Sequence, residues 1–164
     1  MAHWLLKSSP KGFSIDDLKA AGTEPWDGVR NYEARNNIQS MKKGDTGFFY
    51  HSSANPSGII GTLTIASDPK PDPTQFDPDA RHYDPDSDAD DPTWFLVDVS
   101  FDEKWQQVLP LSRLKELETL ENSPLINHGR LTIMPIEEEE VEAIMHTARQ
   151  EGCLPDKSLD DLPD

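Results

Sequence analysis

Cysteine is nearly absent from this sequence: Cys153 stands alone among 164 residues, which excludes an internal disulfide framework. Five histidines (His3, His51, His82, His128 and His146) are scattered without zinc-ligand spacing, so no structural metal is expected. No apolar run approaches the length of a membrane span, and no membrane partner is expected. The opening MAHWLLKSSP has too short an apolar run for a signal peptide and no small-residue cleavage pattern. These absences predict a soluble intracellular protein, cytoplasmic in a bacterium or archaeon and nuclear in a eukaryote. Catalytic signatures are missing as well: there is no G-x-S-x-G elbow, no P-loop and no G-x-G-x-x-G. His51 and Ser52 are neighbours, but neighbours on a strand point to opposite faces and do not make a base–nucleophile pair. Asp84, Asp86, Asp88 and Asp90 alternate like calcium ligands. Counted from Asp84, however, the required Gly and Glu positions hold Ala89 and Phe95. The expectation is a protein without catalytic residues, cofactor or metal.

Positive charge is also scarce, with 15 Lys and Arg against 31 Asp and Glu, a formal net of −16. The deficit is uneven. Residues 1–50 carry seven basic and six acidic side chains, a net of +1, and the remaining 114 residues carry −17. Long-range steering of a polyanion would be poor, yet a local basic pocket in the first third is compatible with these numbers. Such acidity fits either adaptation to high salt or ordinary acidic drift. The length suits one compact domain over 1–150, followed by an acidic tail over 151–164 that would serve a protein partner, with a monomer as the favoured state.

Periodicity places the elements. HWLLKS reads as a strand. FSIDDLKAAG reads as a short helix capped by Ser14, with Asp17 three residues on and Gly22 as its terminator. Ala34, Ile38 and Met41 recur at helical spacing behind a capping Asn31. TGFFYHSS and GIIGTLTIAS read as strands, the second with glycines that suggest close backbone approach. Residues 68–92 hold nine Asp and six Pro, which predicts a long loop without a regular element. TWFLVDVSFDEKW reads as a strand with Phe95, Val97, Val99 and Phe101 on one face. Leu111, Leu114 and Leu117 suggest a helix begun at Ser112, GRLTIMPI a strand, and 136–149 a helix with Val141, Ile144, Met145 and Ala148 inward. Strands outnumber helices and lack regular crossovers, so the fold class is α+β: a mixed, curved sheet or small barrel flanked by helices.

One stretch, WDGVRNYEARN at 26–36, is too polar for a core element and too aromatic for an ordinary loop. A Trp is core by default. Trp26, however, precedes a turn at Asp27 and Gly28 and is followed at once by Arg30, Asn31, Arg35 and Asn36. KSSP at 7–10 and YHS at 50–52 add small donors at strand ends. An indole face ringed by amides and hydroxyls suits a flat heteroaromatic ring, and guanidinium groups beside it suit a phosphate.

WLLKSSP, FSIDDL, WDGVRNYEARNNI, MKKGDTGFFYHS, GIIG, YDPDSD, WFLVDVSF and GRLTIMPI, in this order, resemble the EVE domain family over about residues 3 to 149. The resemblance implies a PUA-like fold, a small mixed β-barrel with helices around it, related to YTH domains. It also implies a non-catalytic reader of modified bases in nucleic acid, with modified cytosine in DNA favoured over RNA. On that resemblance Trp26 would be the stacking wall and Asn31 an edge-reading amide. Ser8 and Ser9 would supply contacts after the first strand, and Tyr50, His51 and Ser52 would form the opposite rim. Arg30 and Arg35 would support the pocket or touch phosphate, Tyr83 would fold over its mouth, and Arg130 would contact the backbone or pair with an acid. The strong net acidity departs from what a nucleic-acid reader normally carries. The alternatives are a small-molecule or free-nucleoside binder on the same scaffold and, at greater distance, a metal-dependent nuclease using the acidic loop.

Overall fold

The computed structural model describes residues 1–155. Its first strand, β1 (His3–Ser8), buries Trp4, Leu5 and Leu6 in succession, as a strand covered on both faces must. Helix α1 (Ile15–Ala21) starts at a reciprocal capping box: Asp17 N–H donates to Ser14 Oγ at 3.1 Å, and Ser14 N–H donates to Asp17 Oδ2 at 2.9 Å. Gly22 ends the helix at φ +79°, its N–H returning to Leu18 O. After β2 (Thr23–Pro25), helix α2 (Tyr32–Gln39) is capped by Asn31, whose Oδ1 accepts from Ala34 N–H at 2.9 Å. Ala34 and Ile38 form its buried stripe. Strands β3 (Thr46–His51) and β4 (Gly58–Ile65) follow. At Gly58 and Gly61 a Cβ would collide with the backbone carbonyls of Leu109 and Glu103, so only glycine permits this spacing of strands.

The acidic segment carries more order than its composition predicts. Lys70–Pro71 forms β5, paired with β6 (Phe95–Leu96), and Pro73–Phe76 makes a 3₁₀ turn. Pro71 is tolerated on this short ribbon, and Pro73 fills the first turn position, where no N–H is needed. The strand expected through Trp105 is interrupted at Val97. Val97 O accepts from Trp26 N–H at 2.9 Å and Asp98 N–H donates to Ser67 Oγ at 2.8 Å, so the chain changes partners there. It then runs on as β7 (Asp98–Pro110).

The helix expected from Ser112 is a single turn, α3 (Leu111–Leu114), followed by a 3₁₀ turn at Glu118–Leu120 and by α4 (Pro124–Asn127). Strand β8 (Ile133–Ile136) takes Ile136, so the last helix, α5 (Glu138–Gln150), begins two residues later than its periodicity suggested. Ile144 and Ala148 are buried beneath α5, whereas Val141 and Met145 pack at the margin of the core. Beyond it the chain is still held. Cys153 is buried, its N–H donates to Ala148 O, and its carbonyl accepts from Gln106 N–H. The rest of the expected acidic tail, 156–164, lies outside the described residues.

Six strands form one mixed sheet in the order β2-β7-β4-β3-β1-β8, parallel only between β1 and β3. The sheet curls as a half-barrel, with Phe49 facing Phe13 and Trp26 on one side and Phe48 facing Trp105 on the other, and α2 lies beside the β8 edge, where Asn37 Nδ2 donates to Ile133 O at 2.7 Å. The expected α+β class, a curved mixed sheet flanked by helices, is the one observed. Among the described residues no helix is long and apolar enough to cross a membrane.

Candidate functional site

Where β1 ends, the chain turns through Ser9–Phe13, with Ser9 O accepting from Gly12 N–H and Phe13 N–H at 2.9 Å each. That turn faces the segment leaving β2, and an open cavity of about 490 Å³ lies between them, within the range of small-ligand sites. Trp26 is in its wall. The indole is 9% exposed and is held by two perpendicular rings, Phe13 at 6.0 Å and Phe49 at 5.5 Å between centroids. Such edge-to-face packing fixes the plane of the indole.

The turn after Trp26 has its own scaffold. Gly28 sits at φ +79°, and a Cβ there would lie 2.7 Å from Cδ2 of the His82 ring, so glycine satisfies both the backbone and the close approach. Its N–H donates to Asp72 Oδ2 at 2.8 Å. Asp72 is fully buried and also accepts from Thr74 N–H at 2.8 Å, Thr74 Oγ1 at 2.6 Å and Arg30 Nη1 at 3.1 Å. Burial alone would raise its proton affinity; the donors from Thr74, Gly28 and Arg30 outweigh this and hold it below the usual carboxylate value.

Arg30 then reaches across the acidic segment. Nε and Nη2 donate to His82 O at 3.1 and 2.7 Å, Nη2 to Thr74 Oγ1 at 2.9 Å, and Nη1 to Val29 O at 2.9 Å. Its guanidinium stacks 5.4 Å above the Trp94 ring, whose Nε1 donates to Asp84 Oδ2 at 2.7 Å. Arg30 therefore ties the 72–84 segment against the cavity wall.

Of the residues expected at the site, Ser8, Trp26, Arg30 and Asn31 line this cavity. Ser8 Oγ donates to Phe13 O at 2.7 Å and so shapes the turn, while Asn31 caps α2 through Oδ1. The other expected residues stand off the wall. Ser9 supports the turn, and Ser52 N–H donates to Ser8 O at 3.0 Å. Tyr50 is buried with the Lys7 ammonium 5.3 Å above its ring. His51 Nε2 accepts from Ile15 N–H at 3.1 Å, at the start of α1. Arg35 lies 5.0 Å over the ring of Tyr32 and donates to Thr93 O at 3.0 Å. Tyr83 and Arg130 are exposed outside the cavity.

Sequence reasoning did not single out Lys7, Gly12, Phe13, Glu24, Pro25, Asp27, Gly28, Val29 or Thr132 as lining residues. Lys7 and Asp27 were within the motifs but were passed over beside Ser8 and Trp26. Thr132 lies within GRLTIMPI, but nothing in that motif placed it at the site, which it joins where Lys7 N–H donates to its carbonyl at 2.8 Å. Charges of both signs meet here: Lys7 and Arg30 face Glu24 and Asp27. Partial burial lowers the proton affinity of the Lys7 amine. It raises that of the Asp27 carboxyl, with Asp72 adding to the rise and His82 and Arg30 opposing it.

The family model of the EVE domain matches residues 2–147. Thymocyte nuclear protein 1 of Homo sapiens is 40% identical over 169 residues, covering 92% of this chain and 75% of that protein. A crystal structure of protein PSPTO5229 from Pseudomonas syringae superposes with a TM-score of 0.86 at 43% identity, covering 89% of this chain and 99% of that one. The crystal structure of human THYN1 protein in complex with 5-methylcytosine containing DNA has a TM-score of 0.85 at 41% identity, covering 90% of this chain and 97% of that one.

Proposed function

The chain belongs to the EVE domain family, and from that membership we propose that it is a non-catalytic reader of modified nucleobases, taking a modified cytosine of DNA into the cavity beside Trp26. The observation that carries this reading is the open cavity of about 490 Å³ with an indole fixed in its wall. Support comes from a similar protein, human THYN1, whose structure is a complex with 5-methylcytosine containing DNA.

A base inside a duplex must first leave the stack, at a cost of a few kcal/mol. Stacking on one aromatic side chain returns roughly 1–3 kcal/mol. These terms nearly cancel, so discrimination has to arise at the base edge and at the modification. An added methyl in an apolar niche contributes only about 1–3 kcal/mol. An oxidised form whose hydroxyl is paired can be discriminated more sharply, because unpaired buried polar groups are costly.

The test is titration of oligonucleotides that differ only by cytosine, 5-methylcytosine or 5-hydroxymethylcytosine at one position. Wild type should prefer the modified bases. Trp26→Ala should weaken binding by roughly 5- to 150-fold, the equivalent of a lost stack, and Trp26→Phe should keep most of it. Equal binding by wild type and a folded Trp26→Ala protein would remove the cavity from the function.

A further inference from the structure

We infer that Asp27 is the specificity-determining residue of the cavity, accepting a hydrogen bond from the exocyclic amine of the bound base and so selecting amino over keto bases. This rests on the reading of the cavity as a base site and goes beyond it by assigning the chemical edge that is read.

The inference follows from which polar side chains of the wall are already engaged. Ser8 Oγ donates to Phe13 O. The Arg30 donors are taken by Val29 O, Asp72, Thr74 and His82 O. Asn31 Oδ1 accepts from the α2 backbone. Asp27, by contrast, lines the cavity directly after Trp26, and the hydrogen bond its carboxylate accepts comes from its own backbone N–H, which leaves it acceptor capacity for a ligand. An ionised carboxylate only accepts.

Its surroundings reinforce that polarity. Asp72, fully buried behind the turn, already has Gly28, Arg30 and Thr74 as donors. Its charge therefore bears on Asp27 while its own oxygens are occupied. A site where two carboxylates crowd together welcomes a hydrogen-bond donor and repels a keto oxygen. Cytosine presents an amine at position 4, where thymine presents an oxygen. Since thymine also carries the 5-methyl group, 5-methylcytosine and thymine differ in the group Asp27 would read while sharing the methyl. Lys7, a donor in the same wall, suits the acceptor atoms that cytosine carries next to its amine. Glu24 is the other carboxylate of the cavity, but it lies on β2, before the turn that positions Trp26.

The experiment compares two single-stranded oligonucleotides, identical except for 5-methylcytosine or thymine at the central position, against wild type, Asp27→Asn, Glu24→Gln and Trp26→Ala. Wild type should prefer 5-methylcytosine by about tenfold or more, the discrimination typical of one good base-edge contact. In Asp27→Asn the new amide can donate to the thymine oxygen, so the preference should fall to within about threefold with thymine affinity rising. Glu24→Gln should move the ratio less than Asp27→Asn does. An unchanged ratio in Asp27→Asn, or an equal collapse in Glu24→Gln, would overturn the assignment and leave the base-reading function standing. If wild type bound neither oligonucleotide more tightly than Trp26→Ala, the base-reading function would fall and the Asp27 assignment with it.

Discussion

His51 shows how one side chain at the margin of the site carries structure. Its Nε2 accepts the Ile15 N–H at 3.1 Å, meeting one of the donors left unpaired at the start of α1, while Ser14 Oγ meets another at Asp17. Burial lowers its proton affinity, Asp16 opposes this and Lys104 adds to it. Protonation would convert the acceptor into a donor facing another N–H. Because the folded protein binds this proton less readily than the unfolded chain, whose value is about 6.5, the stabilisation is complete above that pH. It is lost as pH falls through the lower folded value. His51 is only half-buried, so the loss between about pH 7.5 and about pH 5.5 should be under about 1 kcal/mol. Urea midpoints at those two pH values should fall more for wild type than for His51→Gln. Identical pH slopes in the two proteins would show that the Ile15 contact contributes nothing.

The 68–92 segment is an element without a regular name, and it decides the shape of the cavity. Asp72 accepts from Gly28, Thr74 and Arg30, Gln75 Nε2 donates to Asp72 O and Trp94 O at 2.7 and 2.8 Å, and Tyr32 stacks on Trp94 at 5.0 Å. Asp72→Ala would leave the Gly28 and Thr74 donors unpaired and release Arg30. The expected cost is about 3 kcal/mol, at the low end for a broken buried pair because Arg30 keeps a fifth of its side chain in solvent. Chemical denaturation should read that cost, and base binding should weaken along with it. Full stability in Asp72→Ala would mean that the stacking and the Gln75 and His82 hydrogen bonds hold the segment without the Asp72 carboxylate. This ribbon marks the limit of what the sequence made legible. The Ser14 box and the Asn31 cap depend on residues a few positions apart, so their chemistry is visible in a short window. Trp26 stood out by the same local contrast. The partnerships of Gly28 with Asp72, of Arg30 with His82 and of Lys7 with Thr132 join residues 44, 52 and 125 positions apart. No window contains them, and the eight other aspartates of 68–92 gave Asp72 no distinguishing mark.

For the molecule as a whole, a formal charge of −16 has to coexist, on the proposed reading, with a polyanionic ligand. The proposed reading reconciles the two, because the cavity would take a base, which is neutral, while its basic groups are few and partly engaged: Arg30 is bound to the 72–82 segment and Lys7 donates to Gly129 O at 3.3 Å. Few phosphates can then be neutralised on binding, and each contributes a slope of only about −0.7 in log affinity against log salt for a single strand. Raising salt also screens the repulsion between the acidic surface and neighbouring phosphates, over a Debye length of about 10 Å at 0.1 M, which acts in the opposite direction. Oligonucleotide affinity should therefore change by less than about tenfold between about 50 and about 500 mM salt. The free modified nucleoside should show almost no salt dependence, and its affinity should account for most of the oligonucleotide's. Fluorescence anisotropy across that range, with calorimetry for the nucleoside, separates the contributions. A slope of about −4 or steeper would place the main recognition on phosphates and on a basic surface away from the Trp26 cavity. An oligonucleotide that binds no better than its free nucleoside at every salt would instead make the nucleoside itself the ligand, because the chain would then gain nothing from the strand on either side of the base.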